Sequence, residues 1–175
     1  VITAFGAVNS TIYHGTTSLG TITGLCTGIT DTFVGTVATL TFASSDSTAW
    51  YYDTGVGTVT KITDVDFPGN AGKTLAGTFA HMDGFAVVMT TDGGIYASDL
   101  NSVTGWTANS MDTASAYPDK GVGVVRYKNL IIAFGTESMQ FYQNAGLTPF
   151  PFKRVDSMTQ KLGSVSADAI AQISD

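Results

Sequence analysis

The sequence predicts an all-β fold built from repeated antiparallel four-stranded sheets, the blades of a β-propeller. Three observations carry that reading. Threonine is the commonest residue of the 175, beside 20 glycines and many Val, Ile and aromatic residues. β-branched and aromatic side chains suit strands, and glycine suits the tight turns that join them. The acids agree: Glu137 is the sole glutamate and all the others are aspartate, the acid of turns rather than helices. Finally, the chain repeats itself, with units of about 37–46 residues that suit the ~40–50-residue period of propeller blades. A sandwich also has strands every ~8–12 residues, but it does not predict self-similarity.

The repeat runs at three offsets, 37, 45 and 46. Phe5–Thr23 matches Phe42–Thr60 without a gap: Phe5 falls on Phe42, Ser10-Thr11 on Ser47-Thr48, Gly20-Thr21 on Gly57-Thr58. In the second half the offset is 45, so Asp83-Gly84-Phe85 falls on Lys128-Asn129-Leu130 and Tyr96 on Phe141. The halves join at an offset of 46, through Asp46 to Asp92 and Trp50 to Tyr96. A polar residue four before an aromatic therefore recurs as Asn9/Tyr13, Asp46/Trp50, Asp92/Tyr96 and Glu137/Phe141.

Each unit reads in the same order. An apolar strand such as Leu130–Phe134 is buried on both faces. A polar turn follows, such as Asp92-Gly93-Gly94, whose glycines supply positive φ. Then come an alternating strand with the aromatic, a second turn, and an outer strand such as Gly57–Thr60. The blade-like units run about 1–23, 24–66, 67–110 and 111–156, with 157–175 the start of a further blade. Gly163–Ile173 is expected to be its opening strand. Phe67–Lys73 and Asn109–Lys120 read as linkers between units. Four units and a strand opening at Val1 imply an incomplete ring or part of a larger chain.

Eight basic against fourteen acidic residues leave a net charge of −6 and a pI near 4.5. Such a surface does not grip a phosphate backbone, although DNA can pass it without adhering. No apolar run approaches the ~20 residues of a membrane span, and no signal peptide is visible. Cys26 is alone, so no disulfide within the chain and no cysteine-built zinc site forms; it reads as a small buried hydrophobe.

No catalytic constellation emerges. His14 and His81 have no carboxylate or cysteine at ligand spacing. Asp64 and Asp66 share one face if their segment is extended, as paired glycosidase carboxylates would, but a solvated connection is the simpler reading. Asp83-Gly84, Asp92-Gly93 and Asp112 lack the spacing of a calcium loop and read as turns. Gly121-Val122-Gly123 opens a strand rather than a helix, so it is no phosphate cradle. Lys153-Arg154 is too small a pair for a nucleic-acid patch. Ser98–Trp106 has the letters of the sialidase-propeller turn motif at the wrong spacing. No catalytic, cofactor-binding or metal residue is assigned, and no cofactor is expected.

From Tyr96 onward, over about 80 residues, the chain carries a recognisable run. It comprises Ser98-Asp99-Leu100, Trp106, Ala114-Ser115-Ala116, Pro118-Asp119, Leu130–Phe134 with Gly135, Asn144-Ala145-Gly146, Phe150-Pro151-Phe152, Arg154 and Lys161-Leu162-Gly163. This run resembles the packaged-DNA-stabilisation, or tail hub, proteins of short-tailed bacteriophages, related in role to tail nozzles. One departure is Gln140, where that family usually has Glu.

The resemblance implies a non-enzymatic virion tail protein. It assembles with itself as a ring, commonly a hexamer, below the portal and its adaptor, touches neighbouring tail, adaptor or portal proteins, and holds the genome in until ejection. Packaged DNA passes the channel without sequence-specific binding, and no membrane anchor is involved. Loops around Ala116–Gly121 and Leu147–Arg154 are expected at subunit contacts, with Phe150 and Phe152 read as exposed or as packing between blades. The alternative is a glycan-binding or glycoside-hydrolysing propeller in a receptor-binding role, with clustered carboxylates and exposed aromatics at one end. A generic protein-interaction propeller is a third reading, without Trp-Asp or kelch signatures.

Overall fold

The structure, a computed structural model, describes residues 5–34, 37–114, 116–117 and 119–170. Four antiparallel sheets follow one another along the chain. The first contains β1 (Phe5–Val8), β2 (Thr11–His14) and β3 (Thr17–Thr21). The second contains β4 (Cys26–Val34), β5 (Val37–Ser44), β6 (Ala49–Asp53) and β7 (Thr58–Lys61). The third has β8 (Leu75–Met82), β9 (Phe85–Thr90), β10 (Gly94–Ser98) and β11 (Trp106–Thr113). The fourth has β12 (Gly121–Tyr127), β13 (Leu130–Gly135), β14 (Met139–Asn144) and β15 (Phe152–Arg154). Strand order in every sheet is sequence order, so each is a meander. The first strands β4, β8 and β12 pack side by side. These are the all-β propeller blades that the repeat predicts.

Three apolar clusters fill the three seams between consecutive sheets. Ile12, Ile22, Phe42 and Tyr52 close the first seam. Ile62, Phe67, Phe79, Val88 and Trp106 close the second, where Phe67 meets Trp106 edge-on at 5.1 Å between ring centroids. Met89, Ile95, Ile131, Tyr142, Phe150 and Phe152 fill the third. Strand β9 shows why its sequence is continuously apolar: Ala86 and Val88 face the second seam, while Val87 and Met89 face the third. Strand β13 departs from that pattern. Ile131 and Ala133 are buried in the third seam, whereas Leu130, Ile132 and Phe134 are only half-buried. Among the described residues no further sheet covers their face.

The ungapped repeat places the strands correctly but misses the pairing register by one residue in two of three comparisons. Phe42 faces Trp50 and Val88 faces Tyr96, as the offset of 46 requires. Yet Phe5 faces His14 rather than Tyr13, and Phe141 faces Ile132 rather than Ala133. The cause is turn length. Turns 45–47 and 91–93 have three residues, with Ser47 (φ 64°) and Gly93 (φ 88°) left-handed at the third position. Turns 9–10 and 136–137 have two. A one-residue change in a hairpin loop moves the register by one.

Two expectations need correction. Asn109–Thr113 belongs to β11, so the linker begins only after Thr113. The strand expected over Gly163–Ile173 is absent from its described part, where Ala167–Ala169 forms a 3₁₀ turn. Ser166 drives the turn by accepting the Asp168 amide on its side chain. The Ala167 methyl then sits over Gly77 and Gly123, 3.1 Å from where a Cβ on Gly77 would lie, which is tighter than ordinary contact, and at ordinary contact distance from one on Gly123. Gly77 is left-handed (φ 74°) within a bulge of β8, and β4 and β12 carry bulges near their starts as well.

Phe67 is fully buried between two sheets. Phe67→Ala is expected to lower unfolding stability by about 3–5 kcal/mol, read from urea denaturation with the slope of the transition unchanged.

Candidate interface: hairpin turns clamped by the linkers

The recurring polar residues Asp46, Asp92 and Glu137 lie in the turn between the second and third strands of their four-stranded sheets, and Asn9 lies in the equivalent turn between β1 and β2 of the three-stranded first sheet. In a meander those turns share one face of the molecule with the linkers between sheets. Buried or half-buried linker backbone must find hydrogen-bond partners, and here the turns supply them.

The contacts recur from sheet to sheet. Cys26 and Ile22 donate their amides to the carbonyls of Asn9 and Ser10 at 3.0 and 2.8 Å. At the second turn, Ser45 donates to the Leu25 carbonyl and the Leu25 amide donates to Ser45 Oγ, both at 2.9 Å. The outgoing chain returns there, where the Leu75 amide donates to Ser47 Oγ at 3.0 Å. At the third turn, Thr91 donates to the Thr74 carbonyl, and Ala114 and Gly121 donate to the carbonyls of Gly93 and Thr91. At the fourth, Thr136 donates to the Lys120 carbonyl and Ser164 to that of Gly135. Every turn is gripped by a linker.

Carboxylates reinforce three of these clamps. Asp46 Oδ1 accepts the Thr48 amide at 3.0 Å and the Thr48 hydroxyl at 2.6 Å. Partial burial alone would raise its pKa; the hydrogen bonds from Thr48, Thr23 and Ser44 outweigh that and hold it down at about 2. Lys73, in the incoming linker, pairs with Asp92 Oδ2 at 2.6 Å. That contact, together with the Thr90 hydroxyl, lowers the Asp92 pKa. Asp119 Oδ2 accepts the Glu137 amide at 2.8 Å, and the Ser138 hydroxyl reaches both carboxylate oxygens at 3.2 Å. Gly135 has to be glycine here, because a Cβ would strike that carboxylate. Gly163 likewise lies flat against the Thr136 backbone.

The candidates singled out in the sequence fall into structural roles. Asp64 and Asp66 are not a catalytic pair. Asp64 caps its own turn by accepting the Asp66 amide at 2.9 Å, and its other oxygen accepts the Trp106 amide at 3.1 Å. His14 stacks on Phe5 with centroids 4.3 Å apart. His81 is half-buried with Nε2 unpartnered among the described residues. Burial and then Arg126 depress its pKa, while Asp31 and Asp83 oppose them. Cys26 is a half-buried free cysteine whose pKa is raised by burial. Asp83-Gly84 forms a two-residue turn with both φ angles positive, and Asp83 accepts Asn144 Nδ2 from the next sheet at 2.9 Å. Gly121-Val122-Gly123 opens β12 as expected.

Phe150 and Phe152 are buried at 7% and 3% exposure, which removes the exposed-aromatic reading. They pack between sheets instead, with Phe152 edge-on to Phe85 of the third sheet at 5.8 Å. Gln140 is also buried; its Oε1 accepts Arg154 Nη1 at 3.3 Å and the Ala116 amide at 3.4 Å. Ser115 and Pro118 lie outside the described residues. No group of three or more His, Cys, Asp or Glu suited to a metal ion occurs among the described residues. Among those residues no helix is long and apolar enough to cross a membrane.

Sequential meanders packed face to face, with their first strands side by side and linkers sewn to one set of turns, define a β-propeller. The family model described as bacteriophage P22 Gp10, beta-propeller, matches residues 10–175. The chain belongs to this phage-stabilisation family of phage structural proteins. No curated protein matches the sequence. Among solved structures, the chain is similar to one from the crystal structure of BBS1N in complex with ARL6DN, soaked with mercury. The TM-score is 0.52 at 10% identity, covering 77% of this chain and 44% of that one, a likeness of fold alone.

Two outcomes test the clamps. Asp119→Ala is expected to cost about 1–3 kcal/mol by orphaning the Glu137 amide and the Ser138 hydroxyl, with Asp119→Asn milder, both measured by chemical denaturation. Because Asp46 is depressed in the folded chain, its share of stability is full above the ordinary carboxylate range. It is lost as pH falls from about 4 through about 2. Carboxyl-carbon NMR is expected to place the Asp46 midpoint near 2, and a midpoint near 4 contradicts the hydrogen-bond network.

Proposed function

We propose that the chain is part of a phage tail hub that assembles as a ring below the portal and adaptor. There it forms or seals the DNA channel and contacts other tail proteins. The family match over residues 10–175 carries this reading. Its role is mechanical. Rigid blades resist deformation because each seam is packed with buried apolar side chains and each linker is hydrogen-bonded to a turn. A net charge of −6 gives a surface that DNA passes without sticking.

The proposal places the protein in the virion tail as a homo-oligomer, commonly hexameric, with no reaction of its own. Native mass spectrometry of the full-length protein tests it, alone and mixed with its tail partners. The expected result is a closed ring, alone or on mixing. A strict monomer in both samples contradicts the ring assignment.

A further inference from the structure

His81 stands where three sheets meet. It lies near the end of β8, and the repeat at an offset of 45 puts Arg126 at the same place in β12. These two first strands pack side by side, and Arg126 Nη1 donates to the His81 carbonyl at 3.5 Å. Two residues on, Asp83 accepts Asn144 Nδ2 of the fourth sheet at 2.9 Å. Both polar contacts cross the seam beside the imidazole.

The imidazole suits only one of its two protonation states. Its Nε2 is shut off from solvent and has no hydrogen-bond partner among the described residues. A neutral ring with its proton on Nδ1 tolerates this, because Nε2 is then a bare lone pair. A protonated ring does not. Its second N–H is a buried cationic donor without an acceptor, which costs more than a neutral group left unpaired. The charged groups acting on the ring are Arg126 from β12, Asp31 from β4 and Asp83 from the turn. Strands β5, β9 and β13 bring no ionisable side chain, and the 3₁₀ turn that carries Asp168 sits at the Gly77 end of β8. Asp31 is exposed to water and Asp83 is already engaged by Asn144. Burial and then Arg126 prevail over them and hold the His81 pKa below its ordinary 6.5.

From this geometry we infer that His81 is an acid-sensitive joint between the third and fourth sheets. Protonation of the ring repels Arg126, whose bond to the His81 carbonyl is already long, and draws Asp83 away from Asn144. The hairpin ends of β8 and β12 loosen from each other as a result. The sign follows from linkage: a histidine held neutral by the fold contributes its full stability above its ordinary pKa, and that contribution is lost as pH falls below it. For His81 the loss begins below about 6.5, well above the range in which ordinary carboxylates titrate.

The test is an NMR titration of the isotope-labelled chain from about pH 7.5 to about pH 5. The His81 ring signals are expected to titrate below the ordinary histidine range, with the Asn144 side-chain amide and the Arg126 backbone amide shifting in step. Arg126→Gln is expected to move the His81 midpoint upward. His81→Gln, which cannot take a proton, is expected to lose the paired shifts and to show a flatter fall of urea stability over the same interval. A His81 midpoint at or above about 6.5 overturns the inference, as do Asn144 and Arg126 signals that ignore the His81 titration. Equal pH profiles of stability for the parent chain and His81→Gln overturn it too. Where His81→Gln folds poorly, the titration of the parent chain decides alone.

Discussion

The structure depends on linker backbone finding hydrogen-bond partners on the turns of the sheets it joins. A short linker between two packed sheets cannot pair with itself as a strand or helix does. Each of its buried amides and carbonyls left unmade costs more than a typical hydrogen bond gains, about 1–3 against about 0.5–1.5 kcal/mol. The turns between second and third strands meet that demand. They present free carbonyls and amides at fixed positions, and Ser45, Ser47 and Asp119 add side-chain groups. The spacing of one sheet from the next follows from these contacts, with Gly69, Gly135 and Gly163 allowing backbone approach closer than a Cβ permits.

Within that frame, seam packing sets the stability. Ala86, Val87, Val88 and Met89 are each at most 1% exposed because β9 has a sheet on either side. Burying a valine or methionine side chain contributes about 1.5–3 kcal/mol, so a strand filled on both faces concentrates stability in the middle of the stack. The half-buried Ile132 and Phe134 mark the fourth sheet's other face. Two sheet faces of matching apolarity are how consecutive blades adhere, and the three filled seams follow one pattern.

Much of this was legible in the sequence, and the reasons are local. Strand type followed from Val, Ile, Thr and aromatic content, and the repeat placed Asp46, Asp92 and Glu137 in equivalent turns. The register was not legible, because Asn9-Ser10 and Ser45-Asp46-Ser47 differ by one loop residue that an ungapped comparison hides. For Phe150 and Phe152 the sequence left exposure and packing between blades both open; the choice depends on Phe85, 67 residues before the Phe152 it meets, which no local pattern reveals. Asp119 was visible only as part of a Pro-Asp pair, with no sign that it caps a turn 18 residues later. Ser166 defeated the expected strand at Gly163–Ile173 by an i, i+2 side-chain contact that competes with extended backbone.

The clamps hold each linker to the sheets it joins, which is what the mechanical role proposed for this phage structural protein would require. Native-state hydrogen exchange measures them directly. The amides of Thr91, Gly121 and Thr136, all outside regular strand pairing or at its margin, are predicted to exchange as slowly as Val87 and Ile131 in the core strands. Exchange of those three at rates typical of exposed loops, with the strands still protected, would contradict the account.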